Sequence, residues 1–466
     1  MPLRLFNTSS RTKQEIDVSG EEVTIYACGI TPYSPSHIGH ARQAIAFDTL
    51  VRWLRFQGVR VRYVTNFTDI SDTIIDASKK EGVDFLEVAN RHISDYRISM
   101  NRLNVLDADA YPRVTESIEG IISMIETLVK KGHAYLAGDG VYFEIDTAPE
   151  KYGRLTGQTL EMVRSGAGGR VASTGAGKRD HRDFALWKIA KPGEPSWDSP
   201  FGRGRPGWHI ECSAMSRDYL GKNFDIHGGG LDLKFPHHEN ENAQSKCNHD
   251  GLFANFWLHT GSLTIDEEKM SKSLGNFVTI KDILKRYHPE VIRFFLYSTH
   301  YRNPLNFSLN GLDESKKTLD KFYDALRKVD LHDPKDVPLD EGVIESLEDD
   351  FNSPKLISFL HKILDKLNKS FLNNKHESKS IANLLISSGS VMGLFQAKPD
   401  EYFKFISSEV LITEEEIEDL ITKRNLARNQ KDFNKSDKIR DDLKVKGITL
   451  EDVGEKTIWK RGTLDE

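Results

Sequence analysis

His37-Ile38-Gly39-His40 sets two imidazoles around a glycine. If a helix begins there, its free backbone N–H groups and positive dipole end favour anions, and two imidazoles suit phosphates. Gly39 would let a flat group such as an adenine approach the backbone, which any side chain would obstruct. Lys269-Met270-Ser271-Lys272-Ser273 follows Asp266, Glu267 and Glu268 and precedes Leu274-Gly275-Asn276, the composition of an exposed loop. Its two lysines could close on a triphosphate and supply charge as a carboxylate attacks the α-phosphate and pyrophosphate leaves. Taken singly, each motif has a bland alternative: surface histidines for the first and a solvated charged loop for the second.

Cys28, Cys212, His237 and Glu241 offer two thiolates, an imidazole and a carboxylate, a donor set suited to Zn²⁺. His237 and Glu241 are four apart in a predicted helix and share one face. The donors are distant in sequence, so two ordinary buried cysteines remain the alternative. His227 ends a predicted strand, where a satisfied structural histidine is the competing reading. Asp232 in Gly-Gly-Gly-Leu-Asp could accept from ribose hydroxyls, or cap a turn. Near the C-terminus, residues 423–446 carry nine basic and four acidic side chains. Arg424, Arg428, Lys431 and Arg440, with Trp459 beyond them, read either as a solvated helical face or as an RNA surface with a stacking ring.

These residues need a frame. Val23–Cys28 reads as a buried strand, the run from His40 to Gly58 as an amphipathic helix, and Val59–Tyr63 as a second strand. Such a unit is parallel and right-handed, and it binds ligands beyond the strand carboxyl ends, here the 28–40 loop. A helix is expected over 116–136, a strand over Val141–Ile145, and another over Phe224–His227, with Pro236 in a first helical turn. The Gly-rich stretches at 165–169 and 173–177 read as a surface loop, because neither fits a phosphate-binding GxxxxGK[ST] pattern. Beyond about residue 285 helical patterns dominate.

The chain has 466 residues, a net charge of −6 and 38% hydrophobic residues, too apolar for a disordered chain and without a global basic field. Its three cysteines argue against a disulfide framework. No apolar run is long enough for a membrane span, and the N-terminus has no signal-peptide pattern. The expectation is a cytoplasmic, enzyme-sized protein.

The two signature motifs, in this order, resemble the class I aminoacyl-tRNA synthetases. Cys28, GWHIECSAM (207–215) and FDIHGGGLDLKFPHHENENAQS (224–245) resemble the cysteinyl-tRNA synthetase family in particular. NFTDISDTI (66–74), DFALWK (183–188), DDFNSP (349–354) and KDFNKSDKIRDDL (431–443) extend the likeness over nearly the whole chain. Ser71 and Thr73 depart from it, standing where that family commonly carries Asp and Lys.

The resemblance implies an α/β fold: a Rossmann-type catalytic domain (1–115 and 202–265) interrupted by a connective domain (116–201). A loop and stem-contact region (266–300), a helical bundle (301–400) and a C-terminal anticodon-binding domain (401–466) would follow. It implies zinc on Cys28, Cys212, His237 and Glu241, with His238 and Cys247 not ligands. Trp208 and His227 would wall the amino-acid pocket, His37, Gly39, His40, Asp232, Lys269 and Lys272 would serve ATP with Mg²⁺, and the C-terminal basic run would meet tRNA(Cys). The expected enzyme is a monomer joining L-cysteine to that tRNA. A ligase passing cysteine to a small amine, a zinc hydrolase and a non-catalytic tRNA-binding module are the competing readings.

Overall fold

The computed structural model describes residues 2–148, 152–157, 177–265, 268–269, 278–329, 337–371, 375–405, 412–453 and 456–461. The chain divides into two compact units: the first is Met1–Thr264 with Thr299–Leu305 and Ile344–Ser353, and the second is the rest.

The first unit opens with a hairpin, Arg4–Asn7 (β1) and Thr12–Glu15 (β2). The strand–helix–strand pattern read from the sequence follows as Val23–Ile30 (β3), Ile38–Phe56 (α1) and Val61–Phe67 (β4). Helix α1 buries Ala41, Ala44, Phe47, Leu50, Val51 and Leu54 and ends before Gly58, whose φ of +79° L side chains rarely adopt. Asp72–Glu81 (α2), Phe85–Arg102 (α3) and Ile118–Lys130 (α4) come next. Ser71 caps α2 by accepting from Ile74 N at 3.2 Å, and its hydroxyl lies 2.8 Å from that of Thr73.

Phe224–Gly230 (β9) and Ala254–Thr260 (β10) complete a four-stranded parallel sheet in the order β10-β9-β3-β4. Between its halves the chain forms a second, antiparallel sheet of Ala134–Ala137 (β5), Gly140–Phe143 (β6), Phe184–Ile189 (β7) and Gly204–Pro206 (β8). One core joins this inserted sheet to the parallel one: Val141, Phe143, Leu186 and Trp187 belong to the same cluster as Tyr26, Cys28 and Cys212. Sharing that core fixes the insert against the site. The stretch 165–169 and nearly all of 173–177 lie outside the described residues.

Trp208–Leu220 (α5) follows β8. Glu239–His249 (α6) follows β9 through a helical turn at Lys234–His238 that is broken by extended backbone at Phe235.

The second unit is mainly helical, as the periodicity predicts. Ile280–Arg286 (α7), Pro289–Tyr297 (α8), Leu309–Arg327 (α9), Ser353–Ser370 (α10) and Lys375–Ser390 (α11) lead to Pro399–Phe403 (α12). Glu290 knits this unit together: its buried carboxylate accepts from Tyr323 Oη (2.8 Å) and from the backbone N–H groups of Phe395 (2.7 Å), Gln396 (2.9 Å) and Ala397 (3.1 Å). The terminal module consists of Glu414–Asn429 (α13), Phe433–Val445 (α14) and the hairpin Ile448–Val453 (β11) and Lys456–Arg461 (β12), packed around Ile417, Ile421, Leu443, Ile448 and Trp459.

Candidate metal and nucleotide site

Cys28 lies near the carboxyl end of β3, Cys212 in the first turns of α5, His237 in the turn ahead of α6 and Glu241 in the first turn of α6. All four are buried, and their donor atoms lie within 4.8 Å of one another. This is the crevice beyond the carboxyl ends of parallel strands. Gly29, after Cys28, lets β3 pass close to β4: a Cβ there would fall 1.7 Å from the Asn66 carbonyl oxygen.

Glu241 Oε1 is 3.0 Å from His237 Nε2 and 3.4 Å from Cys28 Sγ. A tetrahedral ion with bonds of about 2.0–2.3 Å spaces its ligands by about 3.3–3.8 Å. Four buried donors this close, two of them thiols, form a set that could hold a small, thiophilic divalent ion.

A second overlapping set exchanges Cys212 and His237 for His227 and His238. In that set His227 Nδ1 contacts Tyr26 O (3.0 Å) and Nε2 contacts Glu241 Oε2 (2.8 Å). His238 Nε2 is 4.0 Å from Glu241 Oε1, and its Nδ1 contacts His259 Nε2 at 2.8 Å. His227, expected in the pocket wall, meets the Glu241 carboxylate through Nε2. It is fully buried behind Glu241 and aims that carboxylate.

The electrostatics suit ligation. Burial works to raise the Glu241 carboxyl, but His227 and His237 win and hold it well below the usual range. The hydrogen bond with Cys28 brings the Cys212 thiol down to about 6, while burial first, and then that same bond, push Cys28 well up. Burial works to lower His237, yet Glu241 and Cys212 carry it up to about 10. A divalent cation would replace the protons shared inside this cluster.

Beside this cluster opens a cleft of about 870 Å³, lined by Tyr33, Thr68, Trp208, His209, Glu211 and Lys188 among others. Ser71 and Thr73 lie on its wall. Trp208 is 38% exposed and stacks on His237 at 4.5 Å. Sequence reasoning passed over His209, whose Nδ1 sits 2.9 Å from His237 Nδ1, and Glu211, whose buried Oε2 has no hydrogen-bond partner. Both fall inside the GWHIECSAM stretch, so the signal was present but carried no assigned role.

His37 caps α1: its Nδ1 accepts from Gly39 N at 3.1 Å, and His40 Nδ1 accepts from His37 N at 3.4 Å. The two rings stack at 3.6 Å. Desolvation and then His37 hold His40 well below its usual pKa, so it is a neutral ring with Nε2 left as its N–H donor. Asp232 is exposed in the turn after β9. Lys272 lies outside the described residues; Lys269 has strand backbone, with its side chain outside the description.

In the terminal module, two of the expected RNA contacts are corrected. Trp459 is 2% exposed and donates from Nε1 to Glu418 at 2.7 Å, so it offers no free face to a base. Arg424 is buried in a two-pronged pair with Asp452 (3.0 and 2.9 Å). Arg428, Lys431 and Arg440 are exposed, and the exposed ring among them is Phe433, at 61%.

A family model described as the tRNA synthetases class I (C) catalytic domain matches residues 14–317, and a DALR domain model matches 342–396. In fold the chain is similar to a Mycobacterium tuberculosis methionyl-tRNA synthetase solved with methionyl-adenylate, with a TM-score of 0.57 at 14% identity over 84% of this chain and 92% of that one. Catalytic domain, helical domain and fold together are those of a class I aminoacyl-tRNA synthetase.

Within that class the chain is 44% identical over 463 residues to the cysteine–tRNA ligase of Cronobacter sakazakii, covering 98% of this chain and 100% of that protein. It is 42% identical over 488 residues to that of Thermodesulfovibrio yellowstonii, covering 98% and 99%. The chain belongs to the cysteine–tRNA ligase family. No helix among the described residues is long and apolar enough to cross a membrane.

Proposed function

We propose that this enzyme activates L-cysteine with Mg²⁺-bound ATP and passes the cysteinyl group to the 3′-terminal adenosine of tRNA(Cys), selecting cysteine over serine through a zinc site. The observation that carries the reading is the buried Cys28–Cys212–His237–Glu241 cluster beside an open cleft, in a chain of this family. In the first step the cysteine carboxylate forms a bond to the α-phosphorus and pyrophosphate leaves. In the second a ribose hydroxyl forms an ester with the carbonyl and AMP leaves. Neither step needs a covalent enzyme intermediate.

His37 and His40 present N–H donors at the α1 N-terminus, where the helix already favours phosphate. Gly39 leaves room for the adenine and Asp232 accepts from the ribose hydroxyls. Lys269 and Lys272 neutralise charge as pyrophosphate departs. Cys28, Cys212, His237 and Glu241 hold Zn²⁺, which when bound favours a soft thiolate over the harder, more basic serine hydroxyl. Trp208 gives the cleft an apolar wall over His237. Arg428, Lys431 and Arg440 meet tRNA phosphates, and Phe433 takes the stacking role first assigned to Trp459.

The test is transfer of labelled cysteine to bulk tRNA with ATP, Mg²⁺ and a serine control, before and after metal removal. Metal-dependent charging by cysteine alone is expected. A cysteine preference that survives complete metal removal would sink the zinc-selection part. Pyrophosphate exchange with no charged tRNA would reassign the acceptor to a small molecule.

A further inference from the structure

Tyr26 lies in the middle of β3, its side chain fully buried, and its hydroxyl oxygen has no hydrogen-bond partner. Buried tyrosine hydroxyls normally find one, because a polar group without a partner in the core costs free energy that phenylalanine would avoid.

Its surroundings give the hydroxyl a purpose. Tyr26 pairs with His227 across the β3–β9 register, the two rings meet edge-on at 5.4 Å, and its carbonyl takes His227 Nδ1 at 3.0 Å. It stands two residues before Cys28, on the same strand face, in one core cluster with Cys28 and Cys212. The phenol stands beside Cys212, Cys28 and Glu241, groups that become negative once they ligate. Cys212 Sγ lies 3.6 Å from Asn66 Oδ1, an acceptor already taken by the Gly29 N–H at 2.9 Å, so that oxygen gives the sulfur no donor.

We infer that Tyr26 is a positioning residue of the metal centre, its O–H donating to the Cys212 sulfur when that sulfur is a metal-bound thiolate. The inference rests on the proposed zinc reading and adds a residue to it. A donor onto a thiolate is charge-assisted, and it fixes the sulfur lone pair left for the ion. Partners of this kind are worth about 10- to 100-fold in metal affinity.

Tyr26→Phe in the full chain removes one O–H and keeps the ring. Three quantities are measured: Zn²⁺ affinity by chelator competition, the thiolate-to-metal absorption of the Co²⁺-loaded protein, and the melting temperature of the metal-free protein. The expected result is a roughly tenfold or greater loss of affinity with a shifted Co²⁺ band, while the metal-free protein melts at the same temperature or higher. Unchanged affinity and an unchanged band would overturn the inference. So would a loss of affinity accompanied by an equal loss of metal-free stability, which marks a packing defect. If the wild-type chain binds neither Zn²⁺ nor Co²⁺, the zinc reading itself falls, an outcome distinct from a silent variant.

Discussion

His237 and His238 are adjacent in sequence, both fully buried and both near Glu241, yet their surroundings separate them. Each ring spends its Nδ1 on another histidine, His237 on His209 and His238 on His259, but His237 Nε2 is 3.0 Å from the carboxylate while His238 Nε2 is 4.0 Å away. His237→Asn is therefore expected to lose bound zinc, and His238→Asn to retain it, as elemental analysis of the purified variants would read. The opposite result would move the ion to the second donor set. Cys212→Ser should also empty the site, because a hydroxyl replaces the thiolate that a thiophilic ion prefers. On the proposal that Lys272 makes its contact in the transition state, Lys272→Ala is expected to slow cysteine-dependent pyrophosphate exchange by about 10²-fold with little change in cysteine binding. Equal losses in both would assign it to ground-state binding. At this scale the four donors that the structure gathers were named in the sequence through the family likeness, whereas the contacts of His227 were not. A strand-end histidine looks the same in sequence whether it walls a pocket or braces a carboxylate, and only the two contacts on its ring decide it.

Helices and strands set those contacts, and their legibility depended on period. Strand β3 and helix α1 appeared almost as written, because a buried apolar run followed by residues three and four apart has one economical packing on a parallel sheet. The unity of the insert with the main core escaped the sequence, because no local pattern tells which apolar faces meet across more than a hundred residues. The same limit hid the knot at Glu290 in the second unit. Glu290→Ala leaves three backbone N–H groups and a tyrosine hydroxyl without their acceptor, at about 1–3 kcal/mol for each that stays buried. A total of about 3–5 kcal/mol is expected in denaturant unfolding, the sum being less than additive within one network. Next to it, His288 caps α8 by accepting from Glu290 N at 3.3 Å, and burial followed by Lys316 lowers its pKa to about 4. Its folded pKa lies below the unfolded value of about 6.5, so the stability it gives is complete above about pH 6.5 and is lost as pH falls towards 4. A pH series of melts should show this loss, and His288→Asn, which still caps but does not titrate, should flatten it.

At the scale of the whole molecule, the proposed assignments put amino-acid activation and tRNA binding on different residues of one chain, and mutation should be able to part them. The terminal module shows why composition alone misassigns such a surface. Trp459 and Arg424 have the types that stack on bases and grip phosphates, but a module this small needs a large ring and an ion pair to close its own core. Trp459→Ala should accordingly melt the module, at about 3–5 kcal/mol, and weaken tRNA charging only as a consequence of unfolding. Phe433 gives the converse case. An aromatic ring left 61% exposed contributes little to the core, so Phe433→Ala is expected to leave the melting temperature in place while raising KM for tRNA by one to two orders of magnitude, from a stacking loss of about 1–3 kcal/mol. Arg428→Gln and Lys431→Gln should raise that KM as well, and each should lower the slope of log affinity against log salt by about one, the signature of a lost phosphate contact. Pyrophosphate exchange should stay at the wild-type rate in all three, because activation needs only cysteine, ATP and the first signature motifs. If the Phe433 variant charges tRNA normally, the RNA surface lies elsewhere on the chain. If it loses exchange together with charging, the module supports activation itself, and the two functions are not separable by mutation.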